Sequence, residues 1–401
     1  MNTRMEYAMK KQANYTRNFV FLYLIQYTTF AMISSQRQSF LNDMGYSLTE
    51  RSLIFAMIPI MTIVMQLLVG FLSDKYDTVK KIIIPLVIGS ALTSYLFYSV
   101  TVQLYVFHFA IALLSQSFVV SATDLMDVWV LESDGPSKNS YGFIRAFGSL
   151  GWSLGSFFIA RIVFMAGYEG LGLTILLLSI LIMILSITIV DNKKQRATHE
   201  MKQSVKINDI VTLFKDKHYL LAIMVVFAAN LAVGLAGFTV VEKMLTLGAN
   251  TFDLSNRNMI AAGVEVPLML IGDQVYRKMG SVKMLLIAIS VHTLQFVGYM
   301  IAPSNTHIIL ITLGQVISVP FFNIAIKYLL MHMSPADLKA TGQMSGPAIV
   351  NGVHGFIHPL IAALLINNYT VNAPFIISIM LGLIGIYLVL MIRKNESRGV
   401  I

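Results

Sequence analysis

The sequence contains no cysteine, and only 12% of its 401 residues are charged. The missing thiols exclude disulfides, thiolate metal sites and cysteine nucleophiles. The scarcity of charge excludes a soluble globular protein, which carries about 25% charged residues, and it also excludes a disordered chain. Apolar residues make up 56% of the chain instead. This composition is typical of a polytopic α-helical membrane protein.

Apolar windows of roughly 20 residues, the length that crosses about 30 Å of hydrocarbon, recur about twelve times. The sequence therefore predicts an all-α membrane protein with twelve transmembrane helices in two six-helix bundles. The predicted domains are an N-terminal bundle (1–190), a cytoplasmic linker (191–218) and a C-terminal bundle (219–401). The predicted spans lie near 18–36, 50–73, 82–100, 104–131, 141–165, 170–190, 219–245, 254–275, 283–302, 306–332, 340–366 and 372–392.

The basic residues indicate the orientation of these spans. The net charge is +9, and most of the Lys and Arg residues fall on the side of the membrane that holds both termini and the linker. Positive residues concentrate on the cytoplasmic side of membrane proteins. Both termini are therefore predicted to be cytoplasmic, and the positive charge is attributed to topology rather than to a nucleic-acid surface. Within the linker, residues 208–215 form either a short surface helix or the start of the seventh span.

A faint internal repeat relates the two halves. GFLSDKYDTVKK at residues 70–81 follows the second span, and GDQVYRKMGSVK at residues 272–283 follows the eighth. Equivalent positions in two halves of equal span number fit a transporter built from a duplicated bundle around a central cavity.

The first of these segments resembles the signature of major facilitator superfamily transporters, G-x-L-[A/S]-D-[R/K]-x-G-x-[R/K]-[R/K]. The chain departs from it at Asp77, where the family usually has glycine. The resemblance implies the major facilitator fold and a conformational switch at Gly70, Asp74 and Lys75. The alternative is a solvated basic loop that only fixes topology.

A second segment, YGFIRAFGSLGW at residues 141–152, resembles the fifth helix of the oligosaccharide:proton symporter branch, the lactose permease type. The resemblance implies that Arg145 pairs with an acidic residue on the fourth span, here Asp127, that both contact a sugar, and that Trp152 stacks on its ring. The branch carries its coupling His, Glu and Arg at positions that read Gln315, Ser318 and Gln295 here. None of these three side chains can take up or release a proton near neutral pH.

Ionisable groups within predicted spans also indicate function, because an unpaired charge in hydrocarbon is costly. Asp124 and Asp127 share one face of the fourth span with Gln116, and an arginine fork beside two carboxylates can hold one of them bidentately. The alternative is an ion pair with a purely structural role. Burial favours protonation of a carboxyl group, so Glu265 with His354, or Asp124 with Asp127, is predicted to replace the missing proton site. A purely structural pairing of Glu265 with His292 or His354 is the alternative.

Polar stripes on the predicted spans of the second half indicate a wet central cavity. The predicted substrate-binding residues are Gln116, Asp124, Asp127, Arg145, Trp152, Gln295, Gln315, Asn351 and His354. The predicted proton-coupling residues are Asp127, Glu265 and His354. The spacing of His354 and His358 fits a metal pair, but no third ligand accompanies it, so no metal site and no cofactor are predicted.

These features predict a secondary active transporter that moves a small polar solute, a sugar or related compound, by proton-coupled symport and alternating access. The alternatives are a proton-coupled efflux antiporter of small organic molecules and an uncoupled facilitator. An enzyme is not predicted, because the sequence has no phosphate-binding glycine loop, nucleophile elbow or metal motif. The expected setting is the cell membrane, the inner or cytoplasmic membrane of a bacterium. The expected partners are solute, protons and lipid, with the protein as a monomer.

Overall fold

The computed structural model describes residues 2–133, 140–189, 212–335 and 338–397, and within these ranges it is helical without any β-strand. The predicted linker falls mainly on residues 190–211, outside the described ranges, as does the first half of the segment 208–215. The helices are α1 (Asn2–Ser34), α2 (Arg37–Asp43), α3 (Leu48–Lys75), α4 (Lys80–Ser99), α5 (Tyr105–Leu131), α6 (Tyr141–Thr188), α7 (Lys217–Thr246), α8 (Thr251–Ile301), α9 (Asn305–Thr312), α10 (Gln315–Met333), α11 (Lys339–Asn368) and α12 (Ala373–Ser397).

Among the described residues, nine helices are long and apolar enough to cross a membrane. Two long helices are interrupted by glycine: α6 at Gly167 (φ 65°) and α8 at Gly280 (φ 73°). Only glycine adopts this left-handed conformation at little cost. Both interruptions fall between spans that the sequence separates. The predicted span 306–332 differs, because α9 ends at Thr312 and α10 begins at Gln315.

The chain divides into two compact units. The first comprises Met1–Arg196 and Asn250–Val266, and the second comprises Ala197–Ala249 and Pro267–Ile401. Polar residues at helix starts fix local boundaries in both. Ser47 and Glu50 form a capping box at the start of α3, and Asp216 accepts hydrogen bonds from the backbone of His218 and Tyr219 at the start of α7. Such caps satisfy amides that have no intrahelical partner.

In the first unit, α1 packs directly on α6. A Cβ added at Gly151 would collide with the carbonyl oxygen of Leu24, and one added at Gly155 would meet the carbonyl of Thr28. The hydroxyl of Thr28 donates a hydrogen bond of 3.0 Å to the carbonyl oxygen of Gly151. Small residues permit this close approach of backbones, which drives helix association where no hydrophobic effect acts between helices. Gly151 and Gly155 therefore serve packing.

In the second unit, two buried polar side chains anchor α7. The hydroxyl of Tyr219, which is fully buried, donates 2.7 Å to the carbonyl oxygen of Gly342 and so joins α7 to α11. The ammonium of Lys243, at the other end of α7, donates 2.6 Å to the carbonyl oxygen of Met300 and 3.0 Å to Oδ1 of Asn372. These bonds secure both ends of α7.

We expect Gly151→Ala to destabilise the protein by about 1–3 kcal/mol, the cost of overpacking a close contact, because the carbonyl of Leu24 belongs to rigid backbone. Thermal unfolding in detergent measures the effect. Gly142→Ala is the matched control on the same helix, since nothing lies within 4 Å of a Cβ at that position. Equal melting temperatures for the two variants would contradict the packing role of Gly151.

Candidate functional site

The two carboxylates of α5 each accept a short hydrogen bond from a neighbouring helix. Tyr23 of α1 donates from its hydroxyl to Oδ1 of Asp127 at 2.6 Å, and Gln66 of α3 donates from Nε2 to Oδ2 of Asp124 at 2.5 Å. Tyr23 is buried, Asp127 is half-buried and Asp124 is exposed. The carboxylates therefore lie at the border between the packed bundle and an open face.

Arg145 lies above the ring of Tyr27, with its guanidinium carbon 4.5 Å from the ring centroid. In the described part of the chain it makes no ion pair within 4.0 Å, so the expected bidentate bond to Asp127 does not form. The reason is that Tyr23 occupies Asp127 while the π face of Tyr27 holds the guanidinium. Asp127 still attracts Arg145 electrostatically. The N–H groups of Arg145 are therefore held in place without a carboxylate bound to them.

Gly148, one turn after Arg145, makes this arrangement possible. A Cβ at that position would lie 2.9 Å from Nη1 of Arg145 and 2.9 Å from Cδ2 of Tyr27. These distances are shorter than real Cβ contacts, so any side chain at Gly148 would displace the arginine or the ring.

Glu265 of α8 joins this group within the first unit. The hydroxyl of Ser149 donates 3.2 Å to its carboxylate, and Ser153, one turn further along α6, donates 2.9 Å to the carbonyl oxygen of Met259. Arg145 is near enough to attract the carboxylate of Glu265. The described hydrogen-bond donor is thus a serine rather than His292, which instead packs between Phe296 and Phe322 in the second unit.

The two tryptophans differ in their surroundings. Trp129 is 1% exposed and packs edge-to-face on Phe19, with the ring centroids 5.7 Å apart, so it belongs to the core. Trp152 is half-buried and meets the ring of Phe30 at 5.0 Å. Phe30 in turn lies next to Tyr27. Of the two indoles, the one that the sequence predicts to bind solute is therefore the one beside the Arg145 cluster.

Gln116 is tied into a buried network. Its side-chain oxygen accepts 2.8 Å from the hydroxyl of Ser34 and 2.8 Å from Nη1 of Arg37, while Nη2 of Arg37 donates 2.9 Å to Ser115. Arg37 is 2% exposed. The carbonyl group of Gln116 is therefore engaged in holding a buried guanidinium, and a role for Gln116 in binding solute stays a prediction.

Gln295 and Gln315, two candidate binding residues of the second unit, differ in their hydrogen bonds. Gln295 is buried and joins helices, since its Nε2 donates 3.0 Å to the carbonyl oxygen of Ile311 and its Oε1 accepts 3.1 Å from Ser318. The side chain of Gln315 is half-buried and has no hydrogen bond within the described residues. Gln315 is therefore better placed than Gln295 to offer its amide to a ligand.

Asn351 and His354 lie on α11 near α7. Oδ1 of Asn351 accepts a long hydrogen bond of 3.4 Å from Asn230. The rings of His354 and His358 stack with centroids 5.8 Å apart, and Nδ1 of His354 is buried without a hydrogen-bond partner in the described chain. Gly234 of α7 leaves space for both rings. A buried ring nitrogen without a partner is a place where a ligand hydroxyl gains affinity.

The predicted switch residues lie at the exposed end of α3. Gly70 has open space beside it, Asp74 is exposed, and the ammonium of Lys75 lies 5.5 Å from the ring centroid of Tyr76. Asp77, where the signature usually has glycine, adopts φ 46°. Aspartate tolerates this left-handed conformation better than most residues, so the turn keeps the geometry that glycine would give.

Lys80 of the same segment has a structural role. Its ammonium donates 2.7 Å to the carbonyl oxygen of Ile187 and 3.0 Å to that of Ile189. These carbonyls lie at the C-terminal end of α6, where a positive charge is favourable. The signature segment thereby fastens the end of α6 to the start of α4.

Sequence reasoning did not identify Gln66, Tyr141 or Arg37. Gln66 is an amide within an otherwise apolar part of the second predicted span, and Tyr141 opens α6 one turn before Arg145 and lies beside Asp127. A search for isolated polar residues in apolar runs would have found Gln66. Nothing in the sequence indicates that Tyr141 and Arg37 meet polar side chains of α5, because those contacts depend on tertiary packing.

A family model described as the MFS_1 like family matches residues 16–377. The maltose permease of Geobacillus stearothermophilus is 23% identical over 153 residues, which cover 37% of this chain and 38% of the permease. The chain thus matches less than half the length of that curated relative.

Among solved structures, the fold is similar to that of the nucleoside transporter NupG. The TM-score is 0.75 with 14% identity, and the alignment covers 95% of this chain and 98% of NupG. A point mutant of NupG gives a TM-score of 0.77 with 14% identity over 94% and 99% of the two chains. At this identity the match shows the fold alone.

Removal of the hydroxyl of Tyr23 should uncouple α1 from Asp127. In a double-mutant cycle of Tyr23→Phe and Asp127→Asn, we expect a coupling energy of about 1–3 kcal/mol, as for a hydrogen bond to a charged group. Reversible unfolding in detergent provides the measurement. Tyr98→Phe is the control, since Tyr98 is also buried but donates to backbone of α1. Additive effects of Tyr23→Phe and Asp127→Asn would rule out the bond.

Proposed function

Because the chain belongs to the MFS_1 like family of the major facilitator superfamily, we propose that this multi-pass membrane protein moves a small polar solute across the cell membrane by secondary transport. The proteins that it matches by name are transporters rather than enzymes. Secondary transporters of duplicated architecture expose a central site alternately to the two sides of the membrane. We propose the same alternating access here.

The observation that carries the proposed substrate class is the unoccupied guanidinium of Arg145 on the ring of Tyr27, flanked by the carboxylates of Asp124 and Asp127. A fork of N–H donors beside carboxylate acceptors matches neighbouring hydroxyls, which both donate and accept. The half-buried indole of Trp152 offers an apolar face for the C–H side of a ring. We therefore propose a sugar or a compound that carries a sugar.

The names of the relatives agree with this chemistry, since a maltose permease and a nucleoside transporter both denote hydroxylated solutes. That agreement supports the class of solute and does not select one member of it. Efflux of small organic molecules is the alternative, and the polar cluster around Arg145 favours a hydroxylated solute over an apolar one.

For topology, we propose twelve crossings in two six-helix bundles, 1–190 and 219–401, with the linker 191–218 and both termini in the cytoplasm. The glycine breaks in α6 and α8 support this count, because each divides one long helix into two segments of crossing length. The inner membrane of a bacterium is the proposed location, and a monomer is the proposed state.

For coupling, we propose that protons drive the transport through Glu265, with Asp127 and His354 as the other candidate groups. The support is the position of Glu265 beside Ser149 and near Arg145. Protonation of Glu265 would remove a negative charge facing the arginine and change how strongly Arg145 holds a solute. Uncoupled facilitation is the alternative, in which no proton accompanies the solute.

The proposed substrate class is tested in proteoliposomes that contain a pH-sensitive dye. Sugars, nucleosides and cationic dyes are added singly to wild type and to Arg145→Lys. We expect uptake of one hydroxylated solute with acidification of the lumen, and a loss of about tenfold or more in Arg145→Lys, because lysine lacks the planar fork. Arg161→Lys is the control on the same helix, since Arg161 lies over Phe157 away from the cluster. A response to cationic dyes alone would replace the proposal with efflux.

Glu265→Gln should abolish accumulation against a gradient while preserving exchange down a gradient, because glutamine keeps the shape but cannot take up a proton. The two modes are compared in the same proteoliposomes with and without an imposed pH difference. Glu169→Gln, an exposed carboxylate at the break in α6, is the control. Uphill transport by Glu265→Gln at the wild-type rate would exclude Glu265 as the coupling group.

A further inference from the structure

A polar pocket of about 350 Å³ lies in the second unit, at the end of the bundle where α10 and α12 finish. Three helices supply its basic and polar side chains: Lys283 from α8, His332 from the last turn of α10 and Arg393 from the end of α12. None of these residues belongs to the proposed solute site. Lys283 is the last residue of the second copy of the repeated segment, residues 272–283. The transport proposal assigns no role to this segment.

The pocket is built around the glycine break in α8. Gly280 adopts φ 73°, so a new helical stretch begins at Ser281, and the first turn of such a stretch has backbone N–H groups without intrahelical partners. Gly280, Ser281 and Lys283 all line the pocket, and Ser281 is buried. The lining of the pocket therefore combines the hydroxyl of Ser281, the backbone at the start of a helical stretch and the ammonium of Lys283.

The aromatic wall of the pocket fixes one basic side chain. Tyr276 stacks on Tyr328 with the ring centroids 3.5 Å apart, and its hydroxyl lies 3.0 Å from Nε2 of His332. This contact uses one ring nitrogen of His332 and leaves the other for a ligand. Within the described residues, neither Lys283 nor Arg393 forms an ion pair with a carboxylate. Two cations that share a pocket without a counterion attract an anion.

The surroundings indicate which anion. Arg393 follows the apolar run of α12, whose side chains Tyr387, Leu390 and Met391 are 63%, 44% and 39% exposed. Such a surface on a membrane protein faces acyl chains. The basic pocket thus begins where this lipid-facing surface ends, which is the depth of a phospholipid headgroup. Arginine and lysine at this depth are the side chains that bind phosphate groups.

We propose that this pocket binds the phosphate group of an anionic phospholipid, with Arg393 and Lys283 on the phosphate oxygens and the acyl chains along α12. The proposed cytoplasmic location of this end of the bundle places the site in the leaflet that attracts basic segments through its anionic lipids. The lipid would brace the glycine break of α8 against the ends of α10 and α12.

The test is titration of purified, delipidated full-length protein with phosphatidylglycerol, followed by native mass spectrometry. Lys283→Gln with Arg393→Gln should weaken binding about 30-fold, from about 1 kcal/mol for each basic residue at the membrane surface. Arg277→Gln with Lys278→Gln is the control of equal charge, since both residues are exposed on α8 and outside the pocket. Wild-type affinity in the pocket variant, or equal weakening in the control, would overturn the proposal.

Further measurements distinguish lipid phosphate from free phosphate, and a single variant keeps the test valid if the double variant misfolds. Inorganic phosphate that binds wild type without lipid and displaces phosphatidylglycerol would overturn the lipid assignment. Phosphatidylcholine carries the same phosphate with a choline cation that offsets its charge, so it should bind wild type more weakly than phosphatidylglycerol does, and equal affinity for the two lipids would overturn the assignment to an anionic lipid. If the double variant unfolds, Arg393→Gln alone should weaken phosphatidylglycerol binding about fivefold, and unchanged affinity there would equally overturn the site.

Discussion

The cost of an unpaired polar group in hydrocarbon constrains every part of this protein. Backbone groups meet that constraint by forming helices, and side chains meet it by finding partners on neighbouring helices. Arg37 illustrates the rule, because the two terminal nitrogens of a guanidinium that is 2% exposed donate to the amide oxygen of Gln116 and the hydroxyl of Ser115 rather than to a carboxylate, while its Nε has no hydrogen-bond partner in the described chain. Lys80 and Lys243 follow it with carbonyl oxygens. Charge is scarce, and these three cations each donate to oxygen atoms outside their own helix.

Close packing of α1 on α6 brings together the residues of the proposed solute site. The glycines at 151 and 155 bring the two backbones together, and Gly148 then leaves a gap that the ring of Tyr27 and the guanidinium of Arg145 fill. Tyr23, one turn before Tyr27 on α1, reaches Asp127 from the same side. The proposed hydroxyl-binding cluster therefore depends on glycines that contact no solute.

The sequence predicted the helical class, the positions of most spans, the breaks around 167 and 280, and the residues Asp124, Asp127, Arg145 and Trp152 that lie near one another. It predicted them because composition, span length and helical periodicity are local properties. It was wrong about the direct bond between Arg145 and a carboxylate. Whether a guanidinium packs on an aromatic ring or pairs with a carboxylate depends on the rings and hydroxyls that neighbouring helices place beside it. The local sequence around Arg145 does not contain that information.

By itself, then, the sequence determined an all-α membrane protein, since a chain with 12% charged residues and long apolar runs has to satisfy its backbone within helices in a bilayer. The segments at 70–81 and 141–152 carry its resemblance to the superfamily named above. Tertiary structure alone decided which of the candidate polar groups have hydrogen-bond partners within the described chain and which do not. Gln116 and Gln295 are held by fixed hydrogen bonds, whereas Gln315 and the ring nitrogen of His354 are not. These side chains look alike in the sequence and differ only in the neighbours that helix packing gives them, and hydrogen bonding requires a neighbour at about 3 Å.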